Sequence, residues 1–193
     1  MAEDVDKQAQ KLLLIGGSAG SLEVILTMLP HIILREHLAM VIVLHRKGGD
    51  DSAVLISLLK DRTSIPVKEA EGKEIIAGGH IYVAPGDYHL LIEKNKTFTL
   101  DFSEKIHFSR PSIDVSFQTG TEAFGTATIG VLLSGASKDG TEGLRSINSA
   151  GGISVVQTPD SSVVDFMPAN AIRYASPKEM LNVTELIDYI NRL

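Results

Sequence analysis

The stretch Leu12-Leu13-Leu14-Ile15-Gly16-Gly17-Ser18-Ala19-Gly20 decides the fold of this chain. An aliphatic run without alternation reads as a strand buried on both faces, and the glycines behind it end the strand and permit a tight turn. Beyond Gly20, Leu22, Ile25, Leu26 and Leu29 recur at i, i+3, i+4 and i+7, one stripe of a helix that Pro30 helps to end. The unit then repeats. Met40-Val41-Ile42-Val43-Leu44 is again apolar throughout, a polar His45-Arg46-Lys47-Gly48-Gly49 follows, and Leu55, Leu58 and Leu59 mark a second helix. Successive strand–turn–helix units pair their strands in parallel, because each helix must cover a sheet face and return by a right-handed crossover.

Outward from this core the pattern continues. Ile129-Gly130-Val131-Leu132-Leu133 and Ile153-Ser154-Val155-Val156 are two more buried strands, with a helix carrying Leu144 and Ile147 between them that Gly151-Gly152 stops. The middle of the chain has a different rhythm: Ile81-Tyr82-Val83, Leu90-Leu91-Ile92 and Phe98-Thr99-Leu100 alternate with turn signals, which predicts a small antiparallel excursion. Helices are expected after Pro111, from Pro168 to Tyr174, and at the end, where Asn182 and Glu185 form a capping pair. The expected fold class is α/β, a three-layer doubly wound domain with a mainly parallel sheet and an antiparallel hairpin insertion. Residues 1–11 read as a polar tail and 12–193 as a single domain.

Composition narrows the function. Lys plus Arg number 18 against 24 Asp plus Glu, a net charge of −6, which argues against nucleic-acid binding by overall positive charge. There is no cysteine, which removes disulfides, thiolate metal sites and cysteine nucleophiles together. The longest stretch without Lys, Arg, Asp or Glu, Ala123 to Ser137, is shorter than the roughly 20 residues of a spanning helix. The acidic start lacks the basic region of a secretory signal, so the expectation is a cytoplasmic protein with no membrane insertion. His31, His37, His80, His89 and His107 are scattered without ligand spacing, and no metal is expected. G-x-G-x-x-G is not met, since Ser18 and Ser21 stand at its second and third glycine positions, which leaves a dinucleotide site a remote alternative.

In open α/β sheets, ligands bind at the carboxyl ends of the strands. Ser18, His45 and Asp139 each lie just beyond a buried strand, so one sheet edge can hold all three. A hydroxyl, an imidazole and a carboxylate are the parts of nucleophilic acyl chemistry. Ser18 sits in a G-x-S-x-G turn, with the Ala19 N–H as an oxyanion donor. Plainer readings stand beside each: Ser18 or Ser21 caps a helix, His45 bonds to backbone at a strand end, and Asp139 forms a capping box with Glu142. Arg46, Lys47 and Arg110 are either a solvated rim or an electropositive lip for an acidic partner.

With these segments in view, the sequence resembles the catalytic domain of CheB-type protein-glutamate methylesterases from about Leu12 to Ile190. The resemblance rests on Ile15 to Gly20, Leu44-His45, Ile81-Tyr82-Val83-Ala84-Pro85-Gly86-Asp87, Arg110-Pro111-Ser112-Ile113-Asp114-Val115 and Gly135-Ala136-Ser137-Lys138-Asp139-Gly140, in that order. It implies Ser18 as nucleophile, His45 as general base, Asp139 as the orienting carboxylate, and no cofactor. It also implies demethylation of glutamate γ-methyl esters on the cytoplasmic helices of chemoreceptors, with deamidation of receptor glutamines by the same chemistry. The family pattern has Ser-Thr-Gly-Gly at the turn and a methionine in the Asp motif, where this chain has Ser18-Ala19-Gly20-Ser21 and Ala136. Oxyanion contacts at Ala19 and Ala136 must therefore be backbone contacts, and the pocket beside Ala136 is expected to be wider. Only about ten residues precede the first strand, so control by a receiver in cis is not expected, and a receiver-type regulator could act only in trans. An esterase acting outside chemotaxis and a non-catalytic binding module are the alternatives.

Overall fold

The computed structural model describes residues 7–49 and 51–193. In chain order its elements are β1 (Lys11–Gly17), α1 (Ser21–Met28), β2 (Leu38–Leu44), α2 (Asp51–Lys60), β3 (Val67–Glu69), β4 (Ile81–Val83), β5 (His89–Ile92), β6 (Phe98–Asp101), α3 (Ile113–Phe124), β7 (Thr128–Leu132), α4 (Thr141–Ser149), β8 (Ile153–Gln157), α5 (Phe166–Ala175), β9 (Glu179–Leu181) and α6 (Val183–Asn191). Seven strands form one sheet in the order β3-β4-β2-β1-β7-β8-β9, and every pairing in it is parallel. β5 and β6 form a separate antiparallel ribbon.

Strand alternation builds the layers. Leu12 and Leu14 join one core with Phe117, Leu144, Ile147 and Met167, beneath α3, α4 and α5. Leu13 and Ile15 face the other, with Ile25, Met28, Leu59, Leu186 and Ile190 from α1, α2 and α6. Every residue of β2 is buried, as the aliphatic run predicts. β1 lies at the centre. The chain leaves it toward β2 through α1, and on its other side β7 leads through α4 to β8, so the two crossovers cover opposite faces. The β1–β7 pair is thus the switch point, and its carboxyl edge opens a crevice.

Several expectations need correction. Ile81-Tyr82-Val83 belongs to the parallel sheet, between β2 and β3, and only β5 and β6 are antiparallel. The physical reason is burial on both faces, Ile81, Tyr82 and Val83 being 1% exposed or less. β3 and β9 are strands the sequence did not announce: each is a short edge strand, and Lys68, Glu69 and Glu179 interrupt the apolar pattern, which is how edges resist further pairing. The buried stripe of α1 is Ser21, Val24, Ile25 and Met28, leaving Leu22 and Leu26 half-buried. Gly16 and Gly17 are the last residues of β1, not a turn beyond it. Residues 1–6 of the expected tail lie outside the described residues, but Lys11 is in β1, Gln8 bridges to Ala77, and Ala9 is buried. The Asn182–Glu185 capping pair forms as expected, its two bonds measuring 2.8 and 3.0 Å.

Candidate functional site

Register places the first two side chains. β1 and β2 run parallel with Gly17 opposite Leu44, and His45 donates its N–H to the Gly17 carbonyl (3.1 Å). Ser18 and His45 are therefore the next residues past the ends of adjacent strands. Ser18 donates its own N–H to the Ser134 carbonyl (3.0 Å), which ties the turn to the loop after β7. The buried Ser134 hydroxyl braces the same turn by donating to the Ala19 carbonyl (2.7 Å). Gly20 caps α1 with φ +82°, a left-handed conformation that glycine adopts at no steric cost. Neither Ser18 nor Ser21 caps α1: the Ser21 hydroxyl donates to the Ser18 carbonyl (2.6 Å). Among the described residues, the Ser18 hydroxyl makes no hydrogen bond.

His45 Nε2 lies 2.7 Å from Asp139 Oδ2. The carboxylate is fully buried, and its other partners explain how it stays ionised. Oδ2 also accepts the Ile113 N–H (2.7 Å), while Oδ1 accepts the Ser112 hydroxyl (2.9 Å) and the N–H groups of Asp114 (3.0 Å) and Gly140 (3.1 Å). Burial pushes the Asp139 carboxyl up, but His45 and the N–H groups of Asp114 and Ile113 outweigh it and hold it below the ordinary range. Two of those donors are the first N–H groups of α3, the positive end of that helix. Asp139 does not cap its own helix: Gly140 is the N-cap of α4, with no side-chain cap bond, and Glu142 pairs with Arg145 at 3.1 Å. Because an ionised carboxylate only accepts, Nε2 carries the ring proton and the lone pair of the neutral ring is on Nδ1. Ser109 Oγ lies 3.1 Å from that Nδ1.

A second carboxyl stands behind the first. Asp114 Oδ1 accepts from Gly140 N–H (2.8 Å) and Gly143 N–H (2.7 Å). Burial, with the Asp139 charge beside it, pushes its carboxyl up to about 7. His107 Nε2 is 3.6 Å from Asp114 Oδ2. Ser112, which caps α3, also donates its N–H to His89 Nδ1 (3.1 Å).

Ser18 and His45 open onto a pocket of about 350 Å³ walled by Leu22, Leu44, Leu55 and Leu58. Of the expected lip, Arg46 turns inward to Ser52 (2.7 Å), Glu69 (3.0 Å) and the Ala84 carbonyl (3.0 Å). Arg110 stacks on Phe102, 3.8 Å from its ring centre, and donates to the Phe102 and Ser103 carbonyls. Lys47 is exposed. Ala19 and Ala136 are exposed on the two loops that flank Ser18, and among the described residues neither N–H donates to a protein acceptor.

The family model described as CheB methylesterase matches residues 13–190. The chain belongs to the CheB methylesterase family. Membership makes it an ester hydrolase. A Leptospira interrogans protein, provisionally named protein-glutamate methylesterase/protein-glutamine glutaminase, is 41% identical over 94% of this chain and 93% of its own length. A Methanococcus maripaludis protein of the same activity name is 34% identical over 96% of this chain but 50% of its own. The crystal structure of the Thermotoga maritima CheB methylesterase catalytic domain superposes with a TM-score of 0.89 at 30% identity, covering 94% of this chain and 97% of that one. The fold expectation is thereby met. No helix among the described residues is long and apolar enough to cross a membrane.

Sequence reasoning missed Ser109, Ser112, Asp114 and Ser134. Three of these lie in or beside Arg110-Pro111-Ser112-Ile113-Asp114-Val115, where a serine three residues before Val115 and an acid in the first turn announced a capped helix start. Nothing local showed that this helix start faces Asp139.

Proposed function

We propose that this chain hydrolyses γ-glutamyl methyl esters on protein helices, with Ser18 as nucleophile, His45 as general base and Asp139 as the residue that orients it. The observation that carries the reading is the 2.7 Å contact between His45 and a buried carboxylate, beside a serine at the neighbouring strand end. With Nε2–H on Asp139, Nδ1 takes the proton from Ser18 Oγ as that oxygen adds to the ester carbonyl. The N–H groups of Ala19 and Ala136 receive the oxyanion. Nδ1 then returns the proton to the leaving methoxide, methanol departs, and a water activated by the same nitrogen cleaves the acyl-enzyme to free the glutamate carboxylate. A glutamine substrate follows the same course with ammonia leaving. The partners this implies are methylated chemoreceptor helices in the cytoplasm. Of the cations assigned to docking, Lys47 faces solvent, whereas Arg46 and Arg110 brace the loops that carry the site.

Methanol release from methylated chemoreceptor fragments tests this. The intact chain should release methanol and Ser18→Ala should lose at least about 10³-fold in turnover, with its melting temperature little changed. Equal release by the variant would refute the role of Ser18. A second reading, hydrolysis of esters bulkier than methyl, is favoured by the aliphatic pocket beside Ser18. Comparing methyl and longer alkyl esters of one glutamyl peptide separates the two.

A further inference from the structure

Each ring nitrogen of His45 has a partner, and the second one is the wrong serine for the mechanism above. Nε2 is committed to Asp139, and Nδ1 lies 3.1 Å from Ser109 Oγ. The neutral ring has its lone pair on Nδ1, so the Ser109 hydroxyl donates into it. One lone pair accepts one good hydrogen bond, and Ser18 needs that lone pair to lose its proton.

We propose that Ser109 is a resting-state cap on the general base, which competes with Ser18 for His45 Nδ1 and must turn away before the nucleophile is activated. This rests on the reading of Ser18 and His45 given above. A release route is present: the His107 carbonyl is 3.5 Å from Ser109 Oγ, so the hydroxyl can swing to a second acceptor. The segment that holds the cap is a two-residue hairpin turn, closed by the Ile106 N–H on the Ser109 carbonyl (3.1 Å) and the Ser109 N–H on the Ile106 carbonyl (2.9 Å). Its central residues, His107 (φ 48°) and Phe108 (φ 63°), are both left-handed without being glycine, a conformation that bulky residues disfavour. Phe108 is 98% exposed, and with Ser109, Lys47 and Lys105 it lines a cavity of about 200 Å³ against His45. A substrate helix that seats against the exposed Phe108 would shift the cap.

A fluorophosphonate probe reads nucleophile activation directly. The serine oxygen bonds to phosphorus, fluoride leaves, and His45 takes the hydroxyl proton. Ser109→Ala should be labelled about fivefold faster than the intact chain, the scale of one neutral hydrogen bond removed from competition. Ser109→Thr, which keeps a hydroxyl, should label at the intact rate, and Ser18→Ala in either background should abolish labelling. Labelling of Ser109→Ala at the intact rate or slower overturns the cap while leaving the role of Ser18 standing. Labelling that survives Ser18→Ala, or is absent from the intact chain and Ser109→Ala alike, overturns both.

Discussion

Asp139 shows most clearly how its surroundings set the state of one side chain. It touches the imidazole, a hydroxyl and the N–H groups of Ile113, Asp114 and Gly140, so its charge is fixed by groups that cannot themselves ionise as well as by His45. Asp139→Asn keeps the shape and inverts the logic. The amide nitrogen donates where a carboxylate oxygen accepted, which drives the ring proton to Nδ1 and removes the lone pair that faces Ser109 and that the proposed mechanism gives to Ser18. Turnover should fall by about 10³–10⁴-fold, as for an imidazole trapped in the wrong tautomer. Steady-state kinetics with a small ester would check this, and a loss below tenfold would mean that tautomer control is not the role of Asp139. The residue type and strand-end position of Ser18, His45 and Asp139 were legible in the sequence. The capping readings of Ser18, Ser21 and Asp139 were equally legible, and they fail only because Gly20 and Gly140 take the cap positions.

Among the elements, the loop after β7 is the most tightly constrained. A Cβ added to Gly135 would lie 2.9 Å from the Ser18 Cβ and 2.8 Å from the Met167 sulfur. This loop and the Ser18 turn can approach so closely only because position 135 has no side chain. Gly135→Ala should therefore push Ser18 away from its place beside His45 and lower turnover by about 10²-fold, the cost of misplacing a reacting group by about an ångström. The comparison of kcat with melting temperature tests it, since a variant that melts normally yet turns over at the intact rate would show that the turn yields freely. α3 contributes in a complementary way, by directing its N-terminal donors at Asp139. The helix itself was foreseeable after Pro111. Its target was not, because the residues joined are 25 and 26 apart in the chain.

For the molecule as a whole, the carboxyl edge of the sheet concentrates acid groups whose ionisation is linked to stability. Asp114 has a folded-state pKa of about 7, above its ordinary 3.8. Between those values the folded chain binds more protons than the unfolded one, so this group makes stability fall as pH rises from about 4 to about 7. Asp139 has the opposite sign: its depressed pKa contributes stability above the ordinary carboxylate range, lost as pH falls through the folded value. Asp114→Asn keeps an acceptor for Gly140 and Gly143 and removes the charge. Its melting temperature relative to the intact chain should climb between pH 4 and pH 7, by on the order of 10 °C, and level off above. A difference that stays constant with pH would show that Asp114 is ionised normally.

The sequence by itself determined the βα units, the buried parallel strands and the placing of Ser18, His45 and Asp139 beyond their ends. Those features rest on hydrophobic period and turn chemistry, which act within about a dozen residues. The tertiary structure decided which polar groups meet. His45 finds Asp139 across 94 residues and Ser109 across 64, and β4 finds its parallel place between β2 and β3. Crossover connections and the need to satisfy buried charge set those pairings, and neither leaves a periodic mark in the chain.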